Sequence, residues 1–489
     1  MQYVLAIDQG TSGTKALVFD ADGQVHARGF AAVPCSYPHT GFVEQDPDAL
    51  YESVLKSVAM CLAEFAGEPR DIAGIGISNQ RETAVLWDAE GRPIVPAVSW
   101  QCQRSLAICE RLKRDGLVET IAAKTGLLID PYFSGTKLIW LSENDERVRA
   151  QLAAGNARFG TVDSWLLYRL TKGASYCTDY TNASRTMLFN LAAREWDHEL
   201  IAMFGLQGLC LPELKPSASF FGATDFEGLL ARPVPIVSMI GDSHAAAVGE
   251  GCLMPGVAKA TMGTGSSIMM NVGSQPQSAT QGLVSTLCFA AAARVDYALE
   301  GIIISAGSTP AFLKEKLRLF DDFSEAEAAF AECDNGGVFV IPAFSGIGCP
   351  HWKYPGGAQI VGLSFSSSWR NVARAAYESI VYQIKDVITV MEQASNIALR
   401  ELHLDGGLVQ RPFLLQYLAD TLNRPVSTLA LSEISAAGAA ALASLEAGLV
   451  ASLDAWAAKR VVARRVEPGH GVEAAAQNHA QWLQWIGRL

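Results

Sequence analysis

Each half of the sequence contains an apolar strand, a turn rich in glycine and hydroxyl residues, and a second apolar strand. The first turn is DQGTSGTK (8–15), and the second is MGTGSS (262–267). In both halves these strands alternate with segments of helical periodicity, which is typical of α/β domains. The repeated plan predicts two α/β domains of related architecture with a cleft between them. We place the boundary beside residue 250, so that the predicted domains cover 1–250 and 251–489.

Length, composition and charge agree with a globular enzyme of two domains. A chain of 489 residues is too long for one ordinary core. Its 49% hydrophobic and 18% charged residues are typical of a folded protein. The net charge of −12 disfavours binding to nucleic acid or to acidic membranes, because both require a basic surface. Phosphate ligands remain compatible with this charge, since backbone N–H groups can bind them locally.

The sequence also bears on the compartment in which the protein works. The N-terminus, MQYVLAIDQG, has the pattern of a strand and lacks the basic and apolar segments of a signal peptide. No stretch reaches the length of a membrane span. The ten cysteines are scattered, without a CxxC pair or Cys/His ligand spacing. These features predict a cytoplasmic protein with reduced thiols that binds neither membrane nor nucleic acid.

Three glycine turns have the composition of phosphate-binding loops. In DQGTSGTK the glycines permit tight turns, the Thr and Ser residues supply hydroxyls, and Lys15 supplies a cation. Asp8 could hold Mg²⁺ directly or through water. The other two turns are MGTGSS and LDGGLVQ (404–410). None is a Walker loop or a Rossmann fingerprint, and each alone would also fit an ordinary turn. Because such turns occur in both halves, we expect a triphosphate to be held from two sides.

The carboxylate of Asp242 is surrounded by small residues in SMIGDSHAAAVGEG (238–251). Ser243 and His244 follow it, but adjacent residues do not face one another, so they cannot form a catalytic triad. The pattern predicts a strand before Asp242 and a helix after it. A carboxylate at a strand end with small neighbours is open to a substrate. The alternative is that Asp242 caps the following helix.

Several further segments occur in an order that carries a resemblance from about residue 3 to about residue 445. These segments are GISNQRETAVLWD, SWQCQRS, DPYFSGTKLIWLSEN, TDYTNASRTMLFN, GDSHAA, YALEG and AQIVGLSFSSSWRNVARAAYE. They resemble the FGGY family of carbohydrate kinases and, within it, the glycerol kinases. The resemblance implies two actin-like (ribonuclease H-like) ATPase domains with an interdomain catalytic cleft. It also implies phosphorylation of a small polyol by ATP and Mg²⁺, and a homodimer or homotetramer.

The resemblance implies roles for individual residues. Arg81, Glu82, Trp100 and Tyr132 would hold the polyol, and Asp242 would be the catalytic base. Polyol hydroxyls donate and accept hydrogen bonds, which suits a guanidinium, a carboxylate and a phenol, and an indole can cover the carbon chain. Without the resemblance, these residues would equally fit surface charges and core aromatics. Asp8 would hold the metal, and the nucleotide-binding residues would be Thr11, Ser12, Gly13, Lys15, Gly263, Thr264, Gly307, Gly407 and Arg411.

The sequence departs from the glycerol kinase pattern at several positions. Ser243 and Ser267, both expected at the substrate, stand where glycerol kinases usually have Gln and Phe. These smaller side chains would leave space for a fourth or fifth carbon. Arg411 stands where Asn is usual, and would stack on the adenine base. FEGLLARP (226–233) occupies the region where some bacterial glycerol kinases bind fructose 1,6-bisphosphate, so that regulation is not expected.

Three functions follow from these observations. The first is phosphorylation of glycerol to glycerol 3-phosphate. The second keeps the chemistry but takes a larger polyol or a ketose, such as erythritol or xylulose. The third is a non-catalytic sugar-binding regulator on the same scaffold. The presence of Asp8, Lys15 and Asp242, together with the Arg81–Glu82 pair, argues against the third.

Overall fold

A computed structural model describes residues 2–291, 294–354 and 356–489. The strands of the first half are β1 (Tyr3–Gln9), β2 (Gly13–Asp20), β3 (Val25–Ala32), β4 (Glu44–Gln45), β5 (Ile72–Asn79), β6 (Val85–Trp87), β7 (Ala97–Val98), β8 (Ala157–Gly160), β9 (Cys177–Asp179), β10 (Phe189–Asn190), β11 (Glu195–Trp196), β12 (Leu209–Cys210), β13 (Glu213–Lys215), β14 (Ala218–Thr224) and β15 (Val234–Gly241). Those of the second half are β16 (Val257–Met262), β17 (Ser266–Gly273), β18 (Val284–Ala291), β19 (Arg294–Ile303), β20 (Phe339–Ile341), β21 (Gln359–Val361), β22 (Glu401–Asp405), β23 (Val426–Leu429) and β24 (Val462–Val466).

The helices pack on both faces of the sheets and at their edges. In the first half they are α1 (Pro47–Glu64), α2 (Leu106–Arg114), α3 (Val118–Thr125), α4 (Ser134–Asn144), α5 (Glu146–Ala153), α6 (Val162–Leu170), α7 (Tyr180–Ala183), α8 (His198–Met203) and α9 (Asp242–Glu250). In the second half they are α10 (Ser308–Glu315), α11 (Phe323–Ala329), α12 (Trp369–Ser395), α13 (Pro412–Leu422), α14 (Ile434–Glu446), α15 (Leu453–Ala457) and α16 (Val472–Gly487). Short 3₁₀ helices cover Pro69–Asp71 and Gly407–Gln410.

The main sheet has thirteen strands in the order β24-β23-β22-β16-β17-β19-β18-β14-β15-β5-β1-β2-β3. In the first half, β3, β2 and β1 are antiparallel neighbours, and β5 and β15 continue in parallel. In the second half, β19, β17 and β16 are antiparallel, and β22 and β23 continue in parallel. Each half is therefore a ribonuclease H-like unit, which confirms the predicted fold class.

The elements that the periodicity predicts are present. The hairpin at Asp22-Gly23 joins β2 and β3, and Gly23 supplies the positive φ of 78° that the turn requires. The first helix, α1, begins with Pro47 after the N-cap Asp46, whose side chain accepts from the backbone N–H of Asp48. The strand–turn–strand unit of the second half is β16 and β17, paired antiparallel.

The two halves meet where α9 crosses α14 with their backbones almost in contact. A Cβ atom on Gly438 would lie 1.8 Å from the carbonyl oxygen of Ala245, and one on Gly249 would lie 2.4 Å from that of Ile434. Only glycine fits at either position. This close packing fixes the orientation of α9, whose first residue is Asp242.

Two expectations from composition can be compared with the structure. All ten cysteines are free thiols, as predicted. Among the helices that the structure describes, none combines the length and apolar character that a membrane-spanning segment needs.

Candidate active site

The site forms where β1, β5 and β15 end side by side. These strands are parallel, and Gln9, Asn79 and Gly241 are aligned at their carboxyl ends. Asp8 comes from the first strand, the segment beginning at Arg81 follows the second, and Asp242 follows the third. Carboxyl ends of adjacent parallel strands are the usual location of binding sites in α/β sheets.

Asp242 is the first residue of α9, and its side chain is 39% exposed. Its Oδ1 lies 3.2 Å from Nε of Arg81. The same oxygen accepts a hydrogen bond from the backbone N–H of Ser243 at 2.6 Å. The hydroxyl of Ser435 on α14 donates to the Asp242 carbonyl at 3.1 Å. Because the N-cap of the helix is Gly241, the capping role that we considered for Asp242 is wrong. Its carboxylate instead faces the cleft beside a guanidinium.

His244, which follows in the sequence, takes no part in this arrangement. Its side chain is fully buried, and its Nε2 lies 3.2 Å from the hydroxyl of Thr286. Burial lowers the pKa of His244 well below its usual value, so the ring is neutral. The structure thus agrees that the Asp-Ser-His string is no catalytic triad.

Four charged side chains form a buried network behind Asp242. Glu300 on β19 accepts from Nη2 of Arg81 at 2.9 Å and from its Nη1 at 3.4 Å, and it lies 2.8 Å from Nη1 of Arg185. Glu82 accepts from Nε of Arg185 at 2.7 Å. The two guanidiniums hold the pKa of Glu300 well below its usual value in spite of burial. Two buried cations are thus balanced by two buried carboxylates.

The backbone at Glu82 adopts an unusual conformation. Its φ is 60°, in the left-handed region, and the N–H of Thr83 donates to the carbonyl of Arg81 at 2.7 Å. This is a γ-turn with a positive central φ, which is rare and strained for a side chain other than glycine. The turn directs Arg81 and Glu82 into the same network. Strain of this kind is concentrated at functional sites.

The two predicted aromatic residues lie together at the edge of this network. The rings of Trp100 and Tyr132 meet edge to face with centroids 5.6 Å apart. The indole N–H of Trp100 donates to the hydroxyl of Thr11 at 2.8 Å. Through this hydrogen bond, the indole connects the residues predicted to bind the polyol with the first glycine turn. Its predicted contact with a carbon chain stays a prediction.

Ser243 and Ser267 face each other with their hydroxyls 3.4 Å apart. Ser267 donates to Glu300 at 3.0 Å, and buried Lys259 donates to Ser243 at 2.7 Å. The surroundings of these two small side chains therefore consist of hydrogen-bonding groups, and the extra space predicted for a longer substrate stays a prediction.

The first glycine turn lies on the other side of Asp242. The N–H of Gly10 donates to the carbonyl of Gly13 at 2.9 Å and closes the turn, which leaves Ser12 exposed. Lys15 is paired with Asp8 across the β1–β2 ladder. Burial and the nearby charge of Asp242 raise the pKa of Asp8 to about 6, even though Ser78 donates to it. Two carboxylates therefore approach each other at this end of the cleft.

A cavity of about 580 Å³ opens on the second half of the cleft. The five nucleotide residues predicted in this half all line it: Gly263, Thr264, Gly307, Gly407 and Arg411. The guanidinium of Arg411 stacks on the ring of Phe323 at 5.0 Å, which makes it part of a flat wall. The stacking predicted for Arg411 is thus seen against a protein ring, and its contact with a base stays a prediction.

Three charged residues of the site were missed by sequence reasoning: Arg185 and Glu300 of the network, and Lys259 beside Ser243. Two of them lie inside segments that carry the resemblance, TDYTNASRTMLFN and YALEG. For Lys259 and Glu300 the available signal was a charged residue within an otherwise apolar strand, because such a residue is rarely buried without a partner.

The two ribonuclease H-like units and the cleft between them define an actin-like fold of the ATPase class. The chain belongs to the FGGY family of carbohydrate kinases, since the family's N-terminal domain matches residues 3–249 and its C-terminal domain matches residues 258–447.

Individual relatives agree with this assignment. The chain is 42% identical to glycerol kinase 1 of Thermotoga maritima over 489 residues, which cover 100% of this chain and 99% of the relative. It is 40% identical to the glycerol kinase of Carboxydothermus hydrogenoformans, covering 100% and 98%. The crystal structure of Plasmodium falciparum glycerol kinase with ADP superposes with a TM-score of 0.94 at 30% identity, covering 100% of this chain and 98% of that one.

Proposed function

We propose that the protein transfers the γ-phosphoryl group of ATP to a primary hydroxyl of a small polyol, with glycerol as the favoured substrate and glycerol 3-phosphate as the product. The observation that carries this proposal is the exposed carboxylate of Asp242 between a polar network and a glycine turn. Relatives of this chain that carry the name glycerol kinase, at about 40% identity over their full length, support the choice of substrate.

Asp242 accepts the proton of the attacking hydroxyl. A carboxylate is a weak base towards a free alcohol, but phosphoryl transfer passes through a loose transition state in which the proton leaves late. Arg81, whose Nε lies 3.2 Å from the Asp242 carboxylate, holds that carboxylate in place. The carboxylate also lies in the first turn of α9, where the helix dipole stabilises a negative charge.

The polyol lies against the network on the first-domain side, 1–250. Arg81 and Glu82 are held rigidly by their buried partners, so they orient hydroxyl groups without moving. Tyr132 and Trp100 limit the site on the other side. In this proposal the second domain, 251–489, contributes most of the nucleotide contacts.

The residues at the start of the first glycine turn suit the binding of Mg²⁺ and phosphate. Mg²⁺ usually binds through one or two carboxylates together with waters and phosphate oxygens rather than through an all-protein cage. Asp8 fits this mode, because burial and the nearby negative charge of Asp242 raise its pKa, and a bound cation would offset both effects. Across the described residues no group of three His, Cys, Asp or Glu side chains is arranged to hold a metal. When bound, Mg²⁺ neutralises charge on the phosphates.

The test measures ADP release with glycerol, erythritol and xylulose in a coupled assay. We expect the highest kcat/KM with glycerol. Asp242→Asn should lose at least about 100-fold in turnover, in line with general-base effects. Asp115→Asn, an equal change at an exposed carboxylate beyond α2, is the matched control and should keep full activity. Near-normal turnover of folded Asp242→Asn would contradict the assignment.

A second candidate, phosphorylation of a larger polyol or a ketose, is favoured by one observation. The hydroxyls of Ser243 and Ser267, together with Lys259, give the site additional polar groups. These groups would bind hydroxyls that glycerol lacks. A kcat/KM higher for erythritol or xylulose than for glycerol would establish this second function.

We further infer that the enzyme works in the cytoplasm as a homodimer or homotetramer. Ten free thiols support a reducing compartment, and the family resemblance supports assembly. Light scattering at several concentrations tests the assembly, and a monomer throughout would contradict it.

A further inference from the structure

A second cavity, of about 240 Å³, lies at the opposite end of α9 from Asp242. It is enclosed by the β2–β3 hairpin of the first domain and by β23, α14 and α15 of the second. Gly249 near the C-terminal end of α9 forms part of its wall. Gly249 lies seven positions after Asp242 along the helix, which corresponds to about 10 Å. The cavity is therefore distinct from the active site but is connected to it by one rigid helix.

Three cations line this cavity in a protein whose net charge is −12: Arg28, Lys459 and Arg460. Lys459 donates to Asp22 at 2.7 Å, and Arg28 approaches Glu433 at 3.9 Å. Arg460 differs from both. Its Nε donates to the Ala457 carbonyl at 2.9 Å, whereas its buried Nη1 has no hydrogen-bond acceptor among the residues that the structure describes; the nearby buried carboxylate of Glu250 attracts its charge without bonding to it.

Apart from Asp22 and Gln24, the remainder of the lining consists of apolar residues and glycine. Trp456 is buried beside Gly23, and Val25, Leu431 and Ile434 complete the surface. Pockets for drug-sized ligands measure about 300–1,000 Å³, so this cavity suits a smaller molecule. A ligand that satisfies both parts of the lining carries an anionic group for Arg460 and a short carbon skeleton for the apolar wall.

We propose that this cavity is a second ligand site, for a small organic anion bearing a phosphate or carboxylate group, and that the bound anion alters the affinity of the cleft for its substrates. The cavity walls come from both domains, and the Lys459–Asp22 and Arg28–Glu433 pairs cross between them. A ligand that contacts both domains binds one cleft geometry better than another. By thermodynamic linkage, the bound anion changes the affinity for substrate by a certain factor, and bound substrate changes the affinity for the anion by the same factor.

The test is isothermal titration calorimetry on the full chain, with glycerol and a non-hydrolysable ATP analogue present at saturation to occupy the active site. The probes are inorganic phosphate, 3-phosphoglycerate and citrate, so that phosphate and carboxylate recognition are separated. We expect one site per chain for at least one probe. Arg460→Met keeps the aliphatic stem and should weaken binding at least about 10-fold, because a charge-assisted bond is lost.

Two further variants make the result decisive. Ala430→Phe places a ring at the exposed mouth of the cavity and should abolish binding. Arg464→Met removes an equal charge from the exposed strand β24, outside the cavity, and should bind as wild type does. If Arg460→Met does not fold, Ala430→Phe decides alone.

Failure to bind any probe, or binding that both cavity variants leave unchanged, overturns the proposal. A probe that binds in the active-site cleft would bind to both cavity variants as it binds to wild type. The variants therefore distinguish an error in the proposal of a second site from an error in the proposed function. In wild type, the bound anion should change the KM for glycerol at least about 3-fold, an ordinary size for allosteric coupling, and Ala430→Phe should remove this change. An unchanged wild-type KM overturns the coupling.

Discussion

Replacement of Glu300 by Gln tests whether the buried network holds the two domains and the catalytic site together. Glu300 is fully buried and contacts two guanidiniums and the hydroxyl of Ser267. Gln keeps the size of the side chain and one carbonyl acceptor. Its NH₂ group, however, must face a cation, and the negative charge is lost.

The expected cost follows from the burial of both partners. Removing one member of a buried ion pair typically costs about 3–5 kcal/mol, because the remaining charge is left without compensation. The carbonyl of Gln retains part of the interaction, so we expect about 3 kcal/mol. Arg81 also contacts Asp242, at 3.2 Å. When Glu300 no longer holds Arg81, its guanidinium should shift towards Asp242, and turnover should fall at least about 10-fold.

The assay is urea unfolding of wild type, Glu300→Gln and a matched control. Glu143→Gln makes the same change in an exposed pair with Arg111, whose side chains are 42% and 40% exposed. Exposed pairs contribute about 0–1 kcal/mol, so the control should unfold almost as wild type does. If Glu300→Gln costs no more than Glu143→Gln, the buried network does not stabilise the fold and the reasoning is refuted.

The pH dependence of the free energy of unfolding tests the role of Glu300 in a second way. The pKa of Glu300 is lowered in the folded protein, so its contribution to stability is complete above the unfolded value of about 4.3. That contribution is lost as pH falls from this value through the lower folded pKa. The difference in stability between wild type and Glu300→Gln should therefore be constant near neutral pH and shrink only below about pH 4. A difference that shrinks already between pH 7 and pH 5 would contradict this assignment.

Three further predictions concern the cleft. Ser267→Phe should lower the ratio of activity on C4–C5 substrates to activity on glycerol by about 10-fold, because a ring fills the space that a longer substrate would need. If the ratios of kcat/KM for glycerol, erythritol and xylulose are unchanged, Ser267 does not line the substrate pocket. The raised pKa of Asp8, about 6, means that the ligand-free protein loses stability as pH rises from about 4 to about 6. Asp8→Asn should thus raise the unfolding temperature at pH 7 while lowering Mg²⁺-dependent turnover, and a lower unfolding temperature would contradict this. Small-angle scattering should show a smaller radius of gyration with polyol and a non-hydrolysable nucleotide, through a pivot near 250–260; identical curves at proven saturation would count against closure.

Much of the fold could be predicted because its signals are local. The pattern WRNVARAAYESIVYQIKDVITVMEQAS has helical periodicity throughout, and α12 covers Trp369–Ser395. The glycine turns and the strands beside them were equally visible. The repetition of these units in both halves then predicted two related domains, without any knowledge of which strands pair.

The charged network could not be predicted in this way, because its partners are far apart in sequence. Arg81 and Glu300 are separated by 219 positions, and the pairing depends on the crossing of two domains rather than on spacing. The N-cap of α9 shows a different limit. A residue at a strand–helix junction can be the N-cap or the first helical residue, and only the backbone decides that Asp242 is the latter.

The position of the network indicates how the cleft opens. Arg81 and Arg185 belong to the first domain and Glu300 to the second, and Ser243 meets Ser267 across the same boundary. Separating these groups would leave buried charges without partners, at a cost of several kcal/mol for each. The nucleotide side has no such cost, because Gly263, Thr264 and the turn at Gly407 are exposed. We therefore expect the domain rotation to keep the network intact, so that the cleft opens on the nucleotide side while the polyol side stays joined.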